Sequence, residues 1–495
     1  MKLFNIIILL NLLLYIKTQT SIPISFTNPG TGYTIAGNIV TITTAGTYDL
    51  TGSETDKQII VASSSKLNLN SFSFINNENL SPIIINSNQN VELILSGEST
   101  LQDSSTNTNN GVIYLQNSAT LSISGTGTLN INPNKSRAVY GLKGASFIAN
   151  DGANIKISSN LANIGGIYSL GKINFNNAIY TYSCQNGRYH SLYSQGEIRI
   201  VKGTYIIYSG RSKGIKTESN LYIGEENAIN DSDLILNITT LEDGIEAMKI
   251  EINSGVININ TGEEGIKLDS ESYLCDDNIR CSGNCACSLV VKKGNLTVIT
   301  REDGINANGD ITFSGGNIII FSSGDSDTKP IEQDGLFQIK GGNVIAAGST
   351  RNSRVIATTT QIAKTYSGAV NSGQALETMS KNSNNKLLSL NTPLTVNSIY
   401  FNFPEEFYVK INNVEITTST ATNSTTNNGK RPYYDDDDDD DWDDDDDDWD
   451  DDDDLDDDWD DDDYYYDENG IIRYQSGSNL KILKNLLLLL IIGLI

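Results

Sequence analysis

The chain has 495 residues and a formal net charge of −28. Nearly all of that charge lies in residues 435–468, where 26 Asp and one Glu occur without a basic residue, a local total of −27. The remainder is close to neutral and the acidic run would repel phosphate, which disfavours nucleic-acid binding.

Residues 1–20 place one Lys before an apolar run over positions 3–16. That order reads as a secretory signal peptide, too short and wrongly flanked for a membrane span. Six N-x-S/T sequons fit a secreted chain: Asn79, Asn134, Asn230, Asn237, Asn295 and Asn423.

From about residue 21 to residue 349 short alternating apolar runs are separated by Gly, Asn, Asp and Ser. Val91-Glu92-Leu93-Ile94-Leu95, Thr120-Leu121-Ser122-Ile123, Lys172-Ile173-Asn174-Phe175 and Glu197-Ile198-Arg199-Ile200 read as strands bounded by turns. Taking Val112, Val139, Ile167, Leu192 and Ile215 as equivalent gives steps of 27, 28, 25 and 23 residues. Three corners then repeat one formula: Glu242-Asp243-Gly244-Ile245, Glu263-Glu264-Gly265-Ile266 and Glu302-Asp303-Gly304-Ile305. A looser fourth follows at Gly324-Asp325-Ser326-Asp327. Gly244 and Gly265 are 21 residues apart, and Gly265 and Gly304 are also 21 apart once an 18-residue insertion, positions 270–287, is removed. A recurring corner at this period predicts an all-β fold, a single-stranded parallel β-helix of roughly nine or ten turns.

The insertion holds Cys275, Cys281, Cys285 and Cys287. In a secreted chain these form two disulfides in preference to a zinc site, with the pairing left open by the sequence. Cys184 stands apart and reads as a buried thiol.

Residues 350–416 are expected to cap the open end of the coil, where a bare sheet edge would invite aggregation. A Thr/Asn linker at 417–434 leads into the acidic segment, whose like charges keep it extended as a solvated spacer, with a weak calcium sink or wall-anchoring polyanion as the functional alternative. Residues 469–495 set small residues, a short spacer and a ten-residue apolar end in the order of a glycosylphosphatidylinositol anchor signal.

In a stacked coil equivalent corners lie above one another. Two like charges about 5 Å apart repel by roughly 1 kcal/mol even at the dielectric of water. A column of acids therefore calls for a cation, and carboxylate oxygens suit Ca²⁺. Glu246, Asp269, Asn306, Asn308, Asp325 and Asp327 are positioned in sequence to complete such a site.

The repeated acidic corner and the stretch D-I-T-F-S-G-G-N-I-I-I-F-S-S-G-D-S-D at 310–327 resemble the carbohydrate-binding-domain-containing family, as does the short signal peptide. The resemblance is clearest over 203–349 and extends back to about residue 51. It implies a calcium-binding right-handed parallel β-helix related to pectate lyases and associated with cellulose and pectin. It also implies that Glu242, Asp243, Glu263, Glu264, Glu302, Asp303, Asp325 and Asp327 are the calcium ligands. The cysteine insertion, acidic segment and anchor signal depart from the simpler family pattern.

Tyrosines concentrate between residues 168 and 222. Tyr189, Tyr193, Tyr205, Tyr208 and Tyr222 are the expected glycan contacts, because aromatic rings pack on sugar faces while their hydroxyls stay hydrated. A lyase would need a base of lowered pKa, for which Lys202, Arg211, Lys213, Lys216, Lys267 and Arg301 are candidates. The acids repeat as a ladder with no distinguished pair, which counts against a hydrolase. The expected function is a secreted, cell-surface, calcium-dependent polysaccharide-binding protein. A pectate-lyase-like enzyme and a structural wall or adhesion protein are the alternatives.

Overall fold

A computed structural model describes residues 22–104, 110–134, 136–269, 287–323, 328–349 and 355–421, and two short strands near the C-terminus. The expected class holds: the first unit is a parallel β-solenoid. It winds through about 12 turns, more than the nine or ten anticipated. The additional turns lie at the N-terminal end, where Gln58–Val61 and Ile83–Ile85 pair in register ahead of the first step counted from sequence.

Each coil contributes to three walls. The first runs through Gly111–Leu115, Arg137–Gly141, Gly165–Ser169 and Leu192–Ser194 to Ile266–Leu268, Ile305–Ala307 and Ile331–Gln333. The second stacks Asn90–Ser96, Thr120–Gly125, Ser146–Ala149 and Lys172–Phe175. The third stacks Asn154–Ser159, Ala178–Cys184, Gly203–Ser209, Leu234–Thr240, Val256–Thr261 and Asn295–Thr300. Side chains alternate in and out along each strand, so every second residue joins a vertical ladder inside the coil.

On the first wall the inward ladder is Ile113, Val139, Ile167, Leu192, Ile215, Ile245, Ile266, Ile305 and Ile331. Val139 pairs with Ile113 rather than Val112. Both residues of that apolar pair are fully buried, so hydrophobicity alone did not separate them. Phe147, Phe175, Tyr180 and Tyr205 fill the middle of the column with rings 5.2–5.6 Å apart.

At the N-terminal end the antiparallel hairpin Tyr33–Ala36 with Ile39–Ile42 begins the stack, and Phe26 packs on Phe72 and Phe74. At the other end Val396–Phe403 runs antiparallel to Asn343–Gly348, the last strand of the third wall. Ile399, Phe401, Phe403 and Phe407 build a second apolar cluster on Phe321, Ile345 and Ala347. The expected cap thus takes the form of antiparallel strands that occupy the last edge and change strand direction there.

The second unit, residues 430–495, contains an antiparallel pair, Tyr464–Tyr466 with Ile472–Tyr474. Among the described residues no helix is long and apolar enough to cross a membrane. The signal-peptide segment, Cys275, Cys281, Cys285 and Asn423 lie outside the described residues, as do the acidic run except for those strand residues and the apolar C-terminus.

Candidate functional site on the first wall

Each coil enters the first wall through a corner, and the corners stack by backbone hydrogen bonds. Gly214 N–H donates to the Asp243 carbonyl, Gly244 N–H to that of Glu264, and Gly265 N–H to that of Asp303, each at 3.0 Å. Gly304 N–H continues the series to the Lys329 carbonyl at 3.1 Å. Lys213, Asp243, Glu264, Asp303 and Lys329 are therefore one column. The fourth corner is Lys329-Pro330-Ile331. Gly324-Asp325-Ser326-Asp327, the expected fourth corner, lies outside the described residues.

Asp243 is 1% exposed and Asp303 8% exposed. Carboxylate oxygens of Asp243, Glu263 and Glu264 lie within 4.8 Å of one another. The Glu264 backbone N–H donates to Asp243 Oδ1 at 3.2 Å, which sets the two carboxyl groups side by side, and a like charge so close raises the Asp243 pKa. Burial first, and that carboxyl neighbour second, raise Asp243 to about 6. Burial followed by Asp243, Glu242, Glu302 and Glu264 raises Glu263 to about 7. Burial and the Glu332 carboxyl lift Asp303 to about 7.

The remaining predicted ligands divide. Glu246 is buried, pairs with Lys213, and receives Lys216 at 3.1 Å. Glu242 is half-buried, with its carboxyl raised by desolvation and then lowered in part by Lys213. Glu302 is exposed at its corner. Asn306 donates to Glu264 at 3.3 Å. Asp269 follows Ile266–Leu268, at the opposite end of the wall from the corner carboxylates.

Two parts of this arrangement were not singled out from sequence as parts of the site. The first is a buried threonine ahead of each acidic corner: Thr240, Thr261 and Thr300. Thr240 Oγ1 donates to the Ser212 carbonyl at 2.6 Å and accepts Glu242 N–H at 3.2 Å. Thr261 Oγ1 donates to the Glu263 carbonyl at 2.9 Å, and Thr300 Oγ1 accepts Glu302 N–H at 3.1 Å. The corner formula is thus T-x-E-[D/E]-G-I, and the added Thr was legible as part of the repeat. The second is the role of lysines as counter-charges, since Lys213 and Lys267 are expected from sequence only as lyase bases. Lys213 Nζ sits 2.8 Å from Asp243 Oδ2, Lys267 lies 3.8 Å from Glu264, and Lys329 pairs with Glu332.

Those pairings bear on the lysines named as lyase bases. Burial pulls Lys213 down, but Asp243 and Glu246 outweigh it and hold its ammonium above the ordinary lysine range. Lys216 and Lys267 are raised in the same way, with burial opposed by Glu246 and Glu264 respectively. Lys202 is raised beside Glu225. Raised ammonium groups keep their protons, the reverse of what a base needs.

The expected tyrosines do not form one surface. Tyr205 is fully buried in the third-wall ladder between Tyr180 and Leu236, so its ring is unavailable to a glycan. Its hydroxyl donates to the Lys202 carbonyl at 2.6 Å. Tyr205 and Tyr208 are three residues apart on one strand and must face opposite sides. Tyr208 is on the outer face of the third wall, and Tyr222 is on the second, 4.2 Å from the Arg199 guanidinium. Tyr193 stands on the first wall, and Tyr189 lies nearby against Arg137.

The cysteines also separate. Cys287 is fully buried and disulfide-bonded just before Ser288–Val291 of the second wall, while Cys184 is a buried free thiol that burial pushes up to about 11.

A parallel β-solenoid with a charged, in-register corner column defines the class of architecture. A family model described as carbohydrate-binding domain-containing protein matches residues 36–328, more than half of the chain, and the chain belongs to that family. No curated protein matches it significantly, and no solved structure does. Carbohydrate binding is thus supported by family and fold together.

Proposed function

We propose that this is a secreted, cell-surface protein that binds a polysaccharide such as cellulose or pectin in a calcium-dependent manner. The observation that carries the calcium reading is the convergence of Asp243, Glu263 and Glu264 oxygens within 4.8 Å. The donor set fits the ion: every candidate ligand is a hard oxygen, and the three carboxyls converge at a corner where Asp243 is buried. Asp243, Glu263 and Glu264 would hold Ca²⁺ between two successive coils, where its charge would offset the repulsion of their carboxylates. The protonated lysines around the site favour binding over lyase chemistry.

Calcium is expected to raise the melting temperature of the full chain and its retention on insoluble cellulose or polygalacturonate. At a hundredfold excess over Kd the stabilisation is about 2.7 kcal/mol. The double variant Asp243→Asn/Glu263→Gln keeps the acidic segment, so any weak binding there is held constant. An identical calcium response in wild type and variant would remove the site. New ultraviolet absorbance from unsaturated product would restore the lyase.

Secretion carries its own test. Asn230 is exposed without a side-chain cap bond, and Asn79 is exposed at a turn with φ of 60°. Asn237 and Asn295 accept ladder hydrogen bonds from Asn258 and Asn317 at 2.8 and 2.7 Å, and Asn134 donates to Ser104 at 3.1 Å. Expression through a eukaryotic secretory route is expected to place glycan on Asn230 and leave Asn237 and Asn295 bare. Peptide mass spectrometry reads this directly, and occupancy at Asn237 or Asn295 would contradict it.

A further inference from the structure

The outward positions of the first wall carry Tyr114, Tyr140, Tyr168 and Tyr193 in direct register. Successive ring centroids are 5.7, 5.0 and 4.6 Å apart, with planes inclined by 28°, 19° and 13°. All four rings are half-buried on the outer face and play no part in filling the coil. The next two coils place Lys216 and then Glu246 in the same column, and Lys213 bridges Glu246 to Asp243 of the candidate calcium site.

The row is held rigid. The Arg137 guanidinium lies 5.0, 4.5 and 4.3 Å from the ring centroids of Tyr140, Tyr168 and Tyr189. Its path crosses Gly165, where a Cβ would stand 2.9 Å from both Arg137 Cγ and Tyr189 Cβ. A guanidinium packed against several aromatic rings limits their rotamers, and such preorganisation lowers the ordering cost of binding.

Rings stacked along the axis turn their faces to each other. What they leave to a ligand is their edges and phenol hydroxyls, one per coil, at the strand spacing of about 4.8 Å. An extended linear polysaccharide advances by a similar distance per sugar and carries hydroxyls on each one. Such a chain can lie parallel to the coil axis and meet one phenol per sugar over four coils without losing register. A branched or coiled glycan cannot keep that match.

We infer that Tyr114, Tyr140, Tyr168 and Tyr193 form a linear polysaccharide-binding track on the first wall, with Arg137 as its positioning residue. The track takes an extended homopolymer by hydrogen bonding along its hydroxyl row. The inference rests on the polysaccharide-binding reading above and assigns the surface that performs it.

The test uses the full chain and binding isotherms on insoluble cellulose and on polygalacturonate, which separate a neutral from an acidic polymer. Tyr140→Phe/Tyr168→Phe keeps both rings and removes two hydroxyls. It is expected to retain the wild-type melting temperature and to weaken binding to the preferred polymer by about tenfold. Tyr140→Ala/Tyr168→Ala is expected to lose binding entirely, and the phenylalanine pair keeps the test open should the alanine pair not fold. Wild-type binding by the phenylalanine pair, alongside lost binding by Asp243→Asn/Glu263→Gln, would overturn the track and leave the polysaccharide reading standing. Retention of wild type on neither polymer would overturn both.

Discussion

Gly265→Ala is expected to destabilise the coil by about 3 kcal/mol, at the upper end of what overpacking usually costs. A Cβ at this corner would stand 2.1 Å from Val298 Cγ1 and 2.6 Å from the Gly304 carbonyl oxygen. Val298 is fully buried and β-branched, so its methyl has little room to turn away. The Gly304 oxygen accepts the Ile266 N–H at 3.1 Å, and moving it opens the ladder between two coils. The glycine of the acidic corner is therefore required by the close approach of the third wall. Because each coil is held by its neighbours, the damage should be local first. Hydrogen exchange is expected to accelerate at 263–268 and 303–307 before it does so in the N-terminal coils. Wild-type exchange and melting in the variant would refute this account.

Phe175→Ala is expected to cost about 3–5 kcal/mol, the usual range for deleting a buried ring. Phe175 is fully buried and contacts the rings of Phe147, Tyr180 and Tyr205 at 5.6, 5.3 and 5.2 Å. Those neighbours belong to the second and third walls, whose backbones are fixed by ladder hydrogen bonds, so the column cannot collapse into the space. Phe175→Leu keeps most of the volume and should cost less than half as much. Chemical denaturation of the two variants reads the difference, and equal stability of Phe175→Ala and wild type would show that the ring cluster carries no packing energy. The same substitution should leave glycan affinity unchanged at temperatures where the coil is intact, because the tyrosine track lies on another wall.

Much of the architecture was legible before any coordinates. Alternating apolar residues predicted strands, and a corner recurring after 21 residues predicted that those strands stack in parallel. The physical reason is that a single coil has an apolar stripe it cannot bury alone, so only a sequence that repeats the stripe in register closes the core. The acidic corners followed from the same repetition: equal positions in a repeat become neighbours in space, which is why Asp243 and Glu264 could be brought together on paper. The Thr240, Thr261 and Thr300 positions obey the same rule and were available to it.

The tertiary structure decided what repetition leaves open. Paired residues of the first wall are 21 apart from Ile245 to Ile266 and 30 apart from Ile215 to Ile245. With coil length varying that much, spacing does not say which residues of the irregular coils stack. Lys213 meets Asp243, 30 residues further on, only because the loop between them is absorbed outside the stacked strands. A shift of one residue reverses which side of a wall a side chain faces, and this sent Tyr205 into the core while Tyr193 stayed outside. Period and alternation are local properties that the chain carries by itself. Register is a property of two coils at once, and it is register that built the tyrosine row, paired the lysines with the acids, and brought together the carboxylates of the candidate calcium site.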